Sequence, residues 1–247
     1  MEEWIGLIPA AGKGLRLGLP YPKELYPVIR NNRYKPVSQF ILDNMVTAGV
    51  SHLVFVINET KHQLIAYFGN GQRFGCDITY VVQESLEQQE NSTSPGLAHA
   101  LDSAYHLTYG KTVFFGMADT IIQPKSIFKN ALEQAAPGDD AILCLFSTEH
   151  PEKVGIVQRE GAYISKIIDK PKQTNLTEMW GCMIWKPKFT EFLHVSIKKG
   201  IMDFARIMNM AIDSGLKFKG IYSENSSYLD LGTYQEIIEL DKHFRLD

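Results

Sequence analysis

The chain has 247 residues, of which 45% are hydrophobic and 21% are charged, so a disordered or low-complexity protein is excluded. Its formal net charge of -3 argues against nucleic-acid binding. No apolar run approaches the roughly 18 residues of a membrane helix, and residues 1–10 lead into a glycine-rich loop instead of a signal-peptide cleavage site. We therefore expect a cytoplasmic protein with one domain over residues 1–247 and no nucleic-acid or membrane partner.

The first half of the chain alternates between strand and helix patterns. Buried strands are expected at residues 5–9, 52–58, 78–82 and 112–116, because these runs are apolar almost throughout. Amphipathic helices are expected between them, at residues 37–48, 61–68 and 96–107. Such βαβ repeats predict a doubly wound, parallel sheet. Residues 83–95 interrupt the pattern as a long polar loop.

The second half departs from strict alternation. One helix is expected after Pro124, ending at about residue 135, and others at 189–197, 204–214 and 234–244. Strands are expected at 141–146, 179–185 and 218–222. Residues 155–158 and 162–168 form an expected hairpin, so the sheet should be mixed at this end although mostly parallel. Three widely spaced cysteines without a C-x-x-C pair indicate buried free thiols (Cys76, Cys144 and Cys182).

The glycine-rich segment after the first strand is the most informative stretch. It reads Ala10-Ala11-Gly12-Lys13-Gly14-Leu15-Arg16, and glycines there let backbone N–H groups approach an anionic ligand. Arg16 and Lys23 would supply positive charge, which suits a triphosphate. The spacing matches neither the dinucleotide fingerprint nor the P-loop. An ordinary loop with solvated basic ends is the competing interpretation.

The order of motifs resembles that of the sugar-1-phosphate nucleotidyltransferases. Gly12-x-Gly14-x-Arg16 is followed by Pro22-Lys23-x-Leu25-x-Pro27-Val28, and later by Gly96-Leu97-Ala98-His99-Ala100, Asp119, Asp169-Lys170-Pro171 and Asp230-Leu231-Gly232. The resemblance covers roughly residues 3–240. It implies a Rossmann-like, GT-A-like nucleotidyltransferase fold, with a nucleotide-binding half at residues 1–135 and a sugar-phosphate-binding half at 136–247.

The resemblance also implies site residues, a metal and substrates. The nucleoside triphosphate would be bound by Ala10, Ala11, Gly12, Lys13, Gly14, Gln83 and Gly96, with Arg16, Lys23 and Lys170 as catalytic residues. The sugar-1-phosphate would be bound by Gly155, Asp169, Lys170, Trp180 and Gly181. Asp119 and Asp230 would bind Mg²⁺, which prefers few carboxylates together with substrate phosphates. The family's reaction is attack of the sugar phosphate on the α-phosphorus, without a protein nucleophile.

Several of these residues have plainer interpretations. Asp119 could be a turn residue after a strand, Asp230 could be the N-cap of the last helix, and Lys170 and Gln83 could face solvent. His99 is expected to pack or cap on its helix, since the histidines show no metal-binding spacing.

Departures from the family pattern leave the substrates open. Leu15 replaces a usual Thr, Asp169 replaces a commoner Glu, and Thr120 follows the metal-strand aspartate. The motifs favour UTP, then dTTP, then CTP. A cytidylyltransferase for phosphocholine, with Trp180 near the quaternary amine, and an inactive nucleotide-binding homologue are the alternatives. The sequence leaves open whether the chain forms a homo-oligomer.

Overall fold

The structure is a computed structural model that describes residues 3–14, 17–30, 33–84 and 96–244. Its strands are β1 (Trp4–Pro9), β2 (Pro27–Arg30), β3 (Arg33–Pro36), β4 (His52–Ile57), β5 (Asp77–Val82), β6 (Thr112–Gly116), β7 (Thr120–Gln123), β8 (Ala141–Ser147), β9 (Gly155–Glu160), β10 (Tyr163–Asp169), β11 (Glu178–Trp185), β12 (Phe218–Tyr222) and β13 (Ser227–Asp230). Its α-helices are α1 (Ser38–Thr47), α2 (His62–Phe68), α3 (Leu97–Ser103), α4 (Tyr105–Thr108), α5 (Ile127–Glu133), α6 (Pro187–Lys198), α7 (Phe204–Asp213) and α8 (Tyr234–Phe244).

One nine-stranded sheet, ordered β5-β4-β1-β6-β11-β8-β12-β10-β9, runs through both halves of the chain. Strands β5, β4, β1 and β6 are parallel, as their apolar runs predict. Strands β10 and β11 run in the opposite direction to the other strands of this sheet. Each of them pairs antiparallel with its neighbours, whereas β8 and β12 pair in parallel. The prediction of a mixed sheet is therefore confirmed, and seven of its nine strands run in one direction.

The far end of the sheet curls back on itself. Beyond its pairing with β10, strand β9 also pairs with β11 through Met179 and Ile156. Strands β11, β8, β12, β10 and β9 thus form a closed ring. The predicted hairpin, β9 and β10, supplies the part of the ring that closes it.

Helices cover both faces of the sheet, which confirms the doubly wound arrangement. Helices α1, α2 and α5 bury Ile41, Leu64 and Phe128 against one face. Helices α3, α6 and α7 bury a second set, represented by Leu101 and Ile207, against the other face. The predicted helix at residues 96–107 is divided at Ala104 into α3 and α4.

The cysteines lie inside these cores, as predicted. All three are buried and free. Burial raises the pKa of the Cys76 thiol to about 11, so this side chain is a poor nucleophile at neutral pH.

Two small antiparallel sheets were not predicted. Strands β2 and β3 form one hairpin, and strand β7 pairs with β13 from near the other end of the chain. The strands β7 and β13 have four residues each, which is too short for periodicity to identify. In the part of the chain that the structure describes, no helix has the length and apolar character needed to cross a membrane.

Candidate active site

The glycine-rich loop leaves β1 at the carboxyl edge of the parallel strands. The Ala10 N–H donates to the Val56 carbonyl at 2.7 Å, and the Asn58 side chain donates to the Ala11 carbonyl at 2.8 Å. Gly14 has φ +64°, a left-handed conformation that a side chain would disfavour. The end of β4 therefore holds this loop at the edge where ligands bind in open α/β sheets.

Lys23, Asp119 and Asp230 come together beside this loop. The Lys23 ammonium donates to the Asp119 carboxylate, and both side chains are mostly buried. Asp119 follows β6, and Asp230 ends β13, which pairs with β7 so that Asp230 lies opposite Thr120. The Leu231 N–H also donates to the Asp119 carbonyl at 2.9 Å. Strand pairing thus places both predicted metal ligands side by side.

The charges in this cluster favour an ammonium ion on Lys23. Burial alone would lower its pKa, but the carboxylates of Asp119, Glu24 and Asp230 together raise the pKa of Lys23 above its ordinary value. Lys23 is therefore a fixed cation at neutral pH. Its charge faces the two carboxylates that a divalent cation would use.

Three lysines line one cleft of about 200 Å³ next to the loop. They are Lys13, Lys23 and Lys61, and Gly14 and Thr60 also border the cleft. A concave surface lined with cations attracts a polyanion, which fits the triphosphate predicted from the sequence. Lys13 is exposed, whereas Lys61 is buried.

Lys61 is held by a carboxylate that the sequence analysis did not assign. Its ammonium lies 2.5 Å from Glu24 Oε1, and the two side chains are 4% and 3% exposed. Burial raises the pKa of Glu24 and lowers that of Lys61, while each opposes the other's shift through the ion pair. The Ser38 hydroxyl donates to the Glu24 carbonyl at 2.7 Å, so α1 also anchors this pair.

A signal for Lys61 was present in the sequence. Asn58, Thr60 and Lys61 directly follow the apolar run of β4, a neighbour of β1. Because neighbouring parallel strands end at one edge, polar residues after β4 are expected near the loop after β1. Site residues were predicted after β1, β5 and β6, but none was predicted after β4.

Gln83 and Gly96, the predicted base-binding residues, also lie close together. The Gln83 N–H donates to the Ile57 carbonyl at 2.7 Å, and its side-chain nitrogen lies 2.5 Å from His99 Nδ1. Gly96 is the N-cap of α3, and its carbonyl accepts from the His99 N–H at 3.1 Å. Gln83 is buried, so the interpretation that it faces solvent is wrong.

The residues predicted to bind the sugar phosphate cluster at the ring of strands. Asp169 lies opposite Gly155 in the β9–β10 hairpin. Lys170 has φ +45°, the one positive value outside glycine in the described part of the chain. Its N–H donates to the Val154 carbonyl at 3.0 Å. A long side chain in this disfavoured conformation is a feature that often marks functional sites.

Trp180 and Gly181 shape this region by close packing. A Cβ on Gly155 would lie 2.4 Å from the indole nitrogen of Trp180. A Cβ on Gly181 would lie 2.5 Å from the ring of Tyr228, two residues before Asp230. Glycine is required at both positions, and Gly181 lets the strand that carries Asp230 pack against β11.

Other expectations have different outcomes. Arg16 and Leu15 lie outside the described residues, as do residues 85–95 of the polar loop. The interpretation of Asp230 as an N-cap is wrong, because Thr233 Oγ1 accepts from the Glu236 N–H at 3.4 Å and so caps α8.

Among the residues that the structure describes, no group of three or more His, Cys, Asp or Glu could hold a metal ion. A metal here would have two carboxylates, with its other ligands from substrate and water.

Comparisons with known proteins agree with this geometry. A family model described as nucleotidyl transferase matches residues 5–245. A glucose-1-phosphate thymidylyltransferase from Neisseria meningitidis is 25% identical over 95% of this chain and 80% of its own length. A UTP–glucose-1-phosphate uridylyltransferase from Staphylococcus saprophyticus is 25% identical over 76% of this chain and 73% of its own length. A solved UDP-glucose pyrophosphorylase, in complex with UDP-glucose, has 20% identity and a TM-score of 0.79 over 100% of this chain and 99% of its own.

Proposed function

The chain belongs to the nucleotidyl transferase family, and on that premise we propose that it transfers a nucleotidyl group from UTP or dTTP to a sugar-1-phosphate. The products are a nucleoside-diphosphate sugar and pyrophosphate. The observation that carries this proposal is the Lys23 ammonium set against Asp119, with Asp230 brought beside them by the pairing of β7 and β13.

The site supplies charge and position instead of a nucleophile. A phosphate oxygen of the sugar-1-phosphate forms a bond to the α-phosphorus, and the bond from that phosphorus to the β-phosphate oxygen breaks. Negative charge builds on the leaving pyrophosphate, so cations at fixed positions lower the barrier. Lys23, Lys13 and Lys61 line the cleft that would hold these phosphates.

Asp119 and Asp230 fit Mg²⁺ by the chemistry of their donors. Two carboxylates leave most of a hexacoordinate shell to phosphate oxygens and water, as Mg²⁺ prefers. When bound, Mg²⁺ would neutralise phosphate charge. Lys23 would then lose part of its contact with Asp119 and become available to the phosphates.

The two halves would divide the substrates between them. Residues 1–135 provide the glycine-rich loop, Lys23 and Gln83 for the nucleotide, and residues 136–247 provide Gly155, Asp169 and Lys170 for the sugar phosphate. Strand β13 is the exception. It belongs to the second half, but its pairing with β7 places Asp230 beside residues of the first half. The named relatives use glucose-1-phosphate, which favours a sugar phosphate over phosphocholine.

The experiment is a pyrophosphate-release assay with Mg²⁺. UTP, dTTP, CTP, ATP and GTP are each paired with glucose-1-phosphate, other sugar-1-phosphates and phosphocholine, and Lys23→Met serves as the matched control. Release with UTP or dTTP and a sugar phosphate supports the proposal. Release only with CTP and phosphocholine would replace it, and nucleotide binding without any release would identify an inactive homologue.

A further inference from the structure

The contact between Gln83 and His99 joins the end of β5 to the start of α3. Gln83 follows β5, and its backbone is fixed to the end of β4 through the Ile57 carbonyl. His99 lies in the first turn of α3, three residues after the N-cap Gly96. The side chain of Gln83 is buried, and its amide nitrogen lies 2.5 Å from His99 Nδ1.

When Nδ1 of His99 carries no proton, this contact fixes the orientation of the amide. An N–H of Gln83 Nε2 donates to His99 Nδ1 only when that nitrogen carries no proton, so the imidazole proton resides on Nε2. The amide nitrogen and oxygen lie on opposite sides of the terminal carbon. With the nitrogen bound to His99, Oε1 is the acceptor that remains for a ligand, whereas the opposite orientation would require the tautomer that carries the proton on Nδ1.

Amide orientation distinguishes the pyrimidines. Uracil and thymine carry a hydrogen on N3 and therefore donate to an acceptor, whereas N3 of cytosine is an acceptor itself. A fixed Oε1 complements uracil and thymine and meets cytosine acceptor to acceptor. A site built to bond one polar group rejects an analogue that lacks it, because buried polar groups are then left unpaired.

We propose that His99 is a specificity-determining positioning residue, which holds the Gln83 amide so that the site accepts UTP or dTTP and rejects CTP. This inference rests on the proposed function, since it requires the nucleotide base at Gln83. It assigns a role to a histidine that the sequence analysis expected only to pack or cap on its helix.

The test compares kcat/KM for UTP, dTTP and CTP, with one sugar-1-phosphate, in two variants at position 99. His99→Leu removes the acceptor, and His99→Asp replaces it with a group that only accepts. We expect the preference for UTP or dTTP over CTP to fall at least about tenfold in His99→Leu, the effect of one unpaired buried polar group. His99→Asp should keep the preference within about threefold of the parent, because a carboxylate has the same hydrogen-bonding role as an unprotonated Nδ1.

His194→Leu is the matched control. His194 Nδ1 lies 2.8 Å from Asp102, also on α3, and its ring stacks on Tyr105, so this variant disturbs another histidine contact with the same helix. We expect the base preference of the parent in this variant. An equal loss in His194→Leu and His99→Leu would show that general packing of α3 sets the preference, and the inference would be overturned.

Other outcomes of these experiments also support or overturn the proposed role of His99. An active His99→Leu enzyme with the base preference of the parent would overturn the role of His99 and leave the proposed function intact. A parent enzyme that prefers CTP would overturn it as well. If His99→Leu does not fold, His99→Asp decides alone, since loss of the preference there contradicts the inference and retention supports it. Absence of turnover with every nucleotide is instead a failure of the proposed function, and the inference fails with it.

Discussion

Replacing Lys23 with methionine tests the centre of the proposed site. Methionine keeps most of the apolar stem and removes the ammonium that contacts Asp119. The side chains of Lys23 and Asp119 are 15% and 11% exposed, so solvent screens this charge only weakly. Loss of one fixed charge that stabilises a developing anion lowers kcat about a hundredfold, or about 2.7 kcal/mol.

The same variant should bind Mg²⁺ more tightly. Without the ammonium, Asp119 and Asp230 lose a neighbouring cation, the same cation whose pKa their two carboxylates help to raise. A partly buried charge pair of this kind is worth about 1 kcal/mol, which predicts a roughly fivefold lower half-saturating Mg²⁺ concentration. Slower turnover with tighter metal binding is a combination that misfolding would not produce.

The assay measures initial rates of pyrophosphate release over a Mg²⁺ titration at saturating substrates, with urea unfolding to verify the fold. Lys35→Met is the control, because Lys35 pairs with Asp43 at 2.7 Å and does not line the lysine cleft. We expect this control to keep the kcat of the parent. A Lys23→Met enzyme with kcat within threefold of the parent, or with weaker Mg²⁺ dependence, would refute the reasoning.

Three further variants test separate parts of the site. Lys61→Met should lower the free energy of unfolding, measured by urea unfolding, by about 3–5 kcal/mol, because it leaves Glu24 buried without its cation, and adding Glu24→Gln should restore most of that loss. A loss of under about 1 kcal/mol, the value expected for an ion pair on the surface, would contradict this. Lys170→Gly should leave stability unchanged or raise it by up to about 1 kcal/mol, because glycine suits φ +45°, while KM for the sugar phosphate rises at least tenfold; an unchanged KM would show that Lys170 does not bind substrate. Asp230→Asn should raise the Mg²⁺ concentration needed for half-maximal rate, and a titration that overlays that of the parent would remove Asp230 from the metal site.

The long elements of the fold were predictable because their patterns are long. Strands β1, β4 and β6 are apolar runs whose burial on both faces leaves little choice of conformation. The ring closure was not predictable, because it depends on a single pairing between β9 and β11. Strands β7 and β13 escaped prediction for a related reason, since their pairing is fixed by contacts between distant segments.

The candidate site was predictable for those residues that stand in recognisable sequence motifs. Lys23 and Asp119 stand in motifs, and the structure brings them into contact. Glu24 stands in the same motif as Lys23 but received no role, since its partner Lys61 comes from a distant segment, the loop between β4 and α2. Contacts between side chains of different elements, such as that of Gln83 with His99, depend on the three-dimensional arrangement and cannot be predicted from hydrophobic periodicity.

The late position of β13 has a consequence for synthesis of the protein. A nascent chain that has emerged only as far as β7 contains the glycine-rich loop, Lys23 and Asp119, because those segments precede β8. Asp230 joins them only after β8 to β12 have been made, and Tyr228 needs Gly181 of β11 in place before it can pack. The order of translation therefore delays the second carboxylate until most of residues 136–247 have been made, so a partly made chain would lack a complete copy of the proposed site.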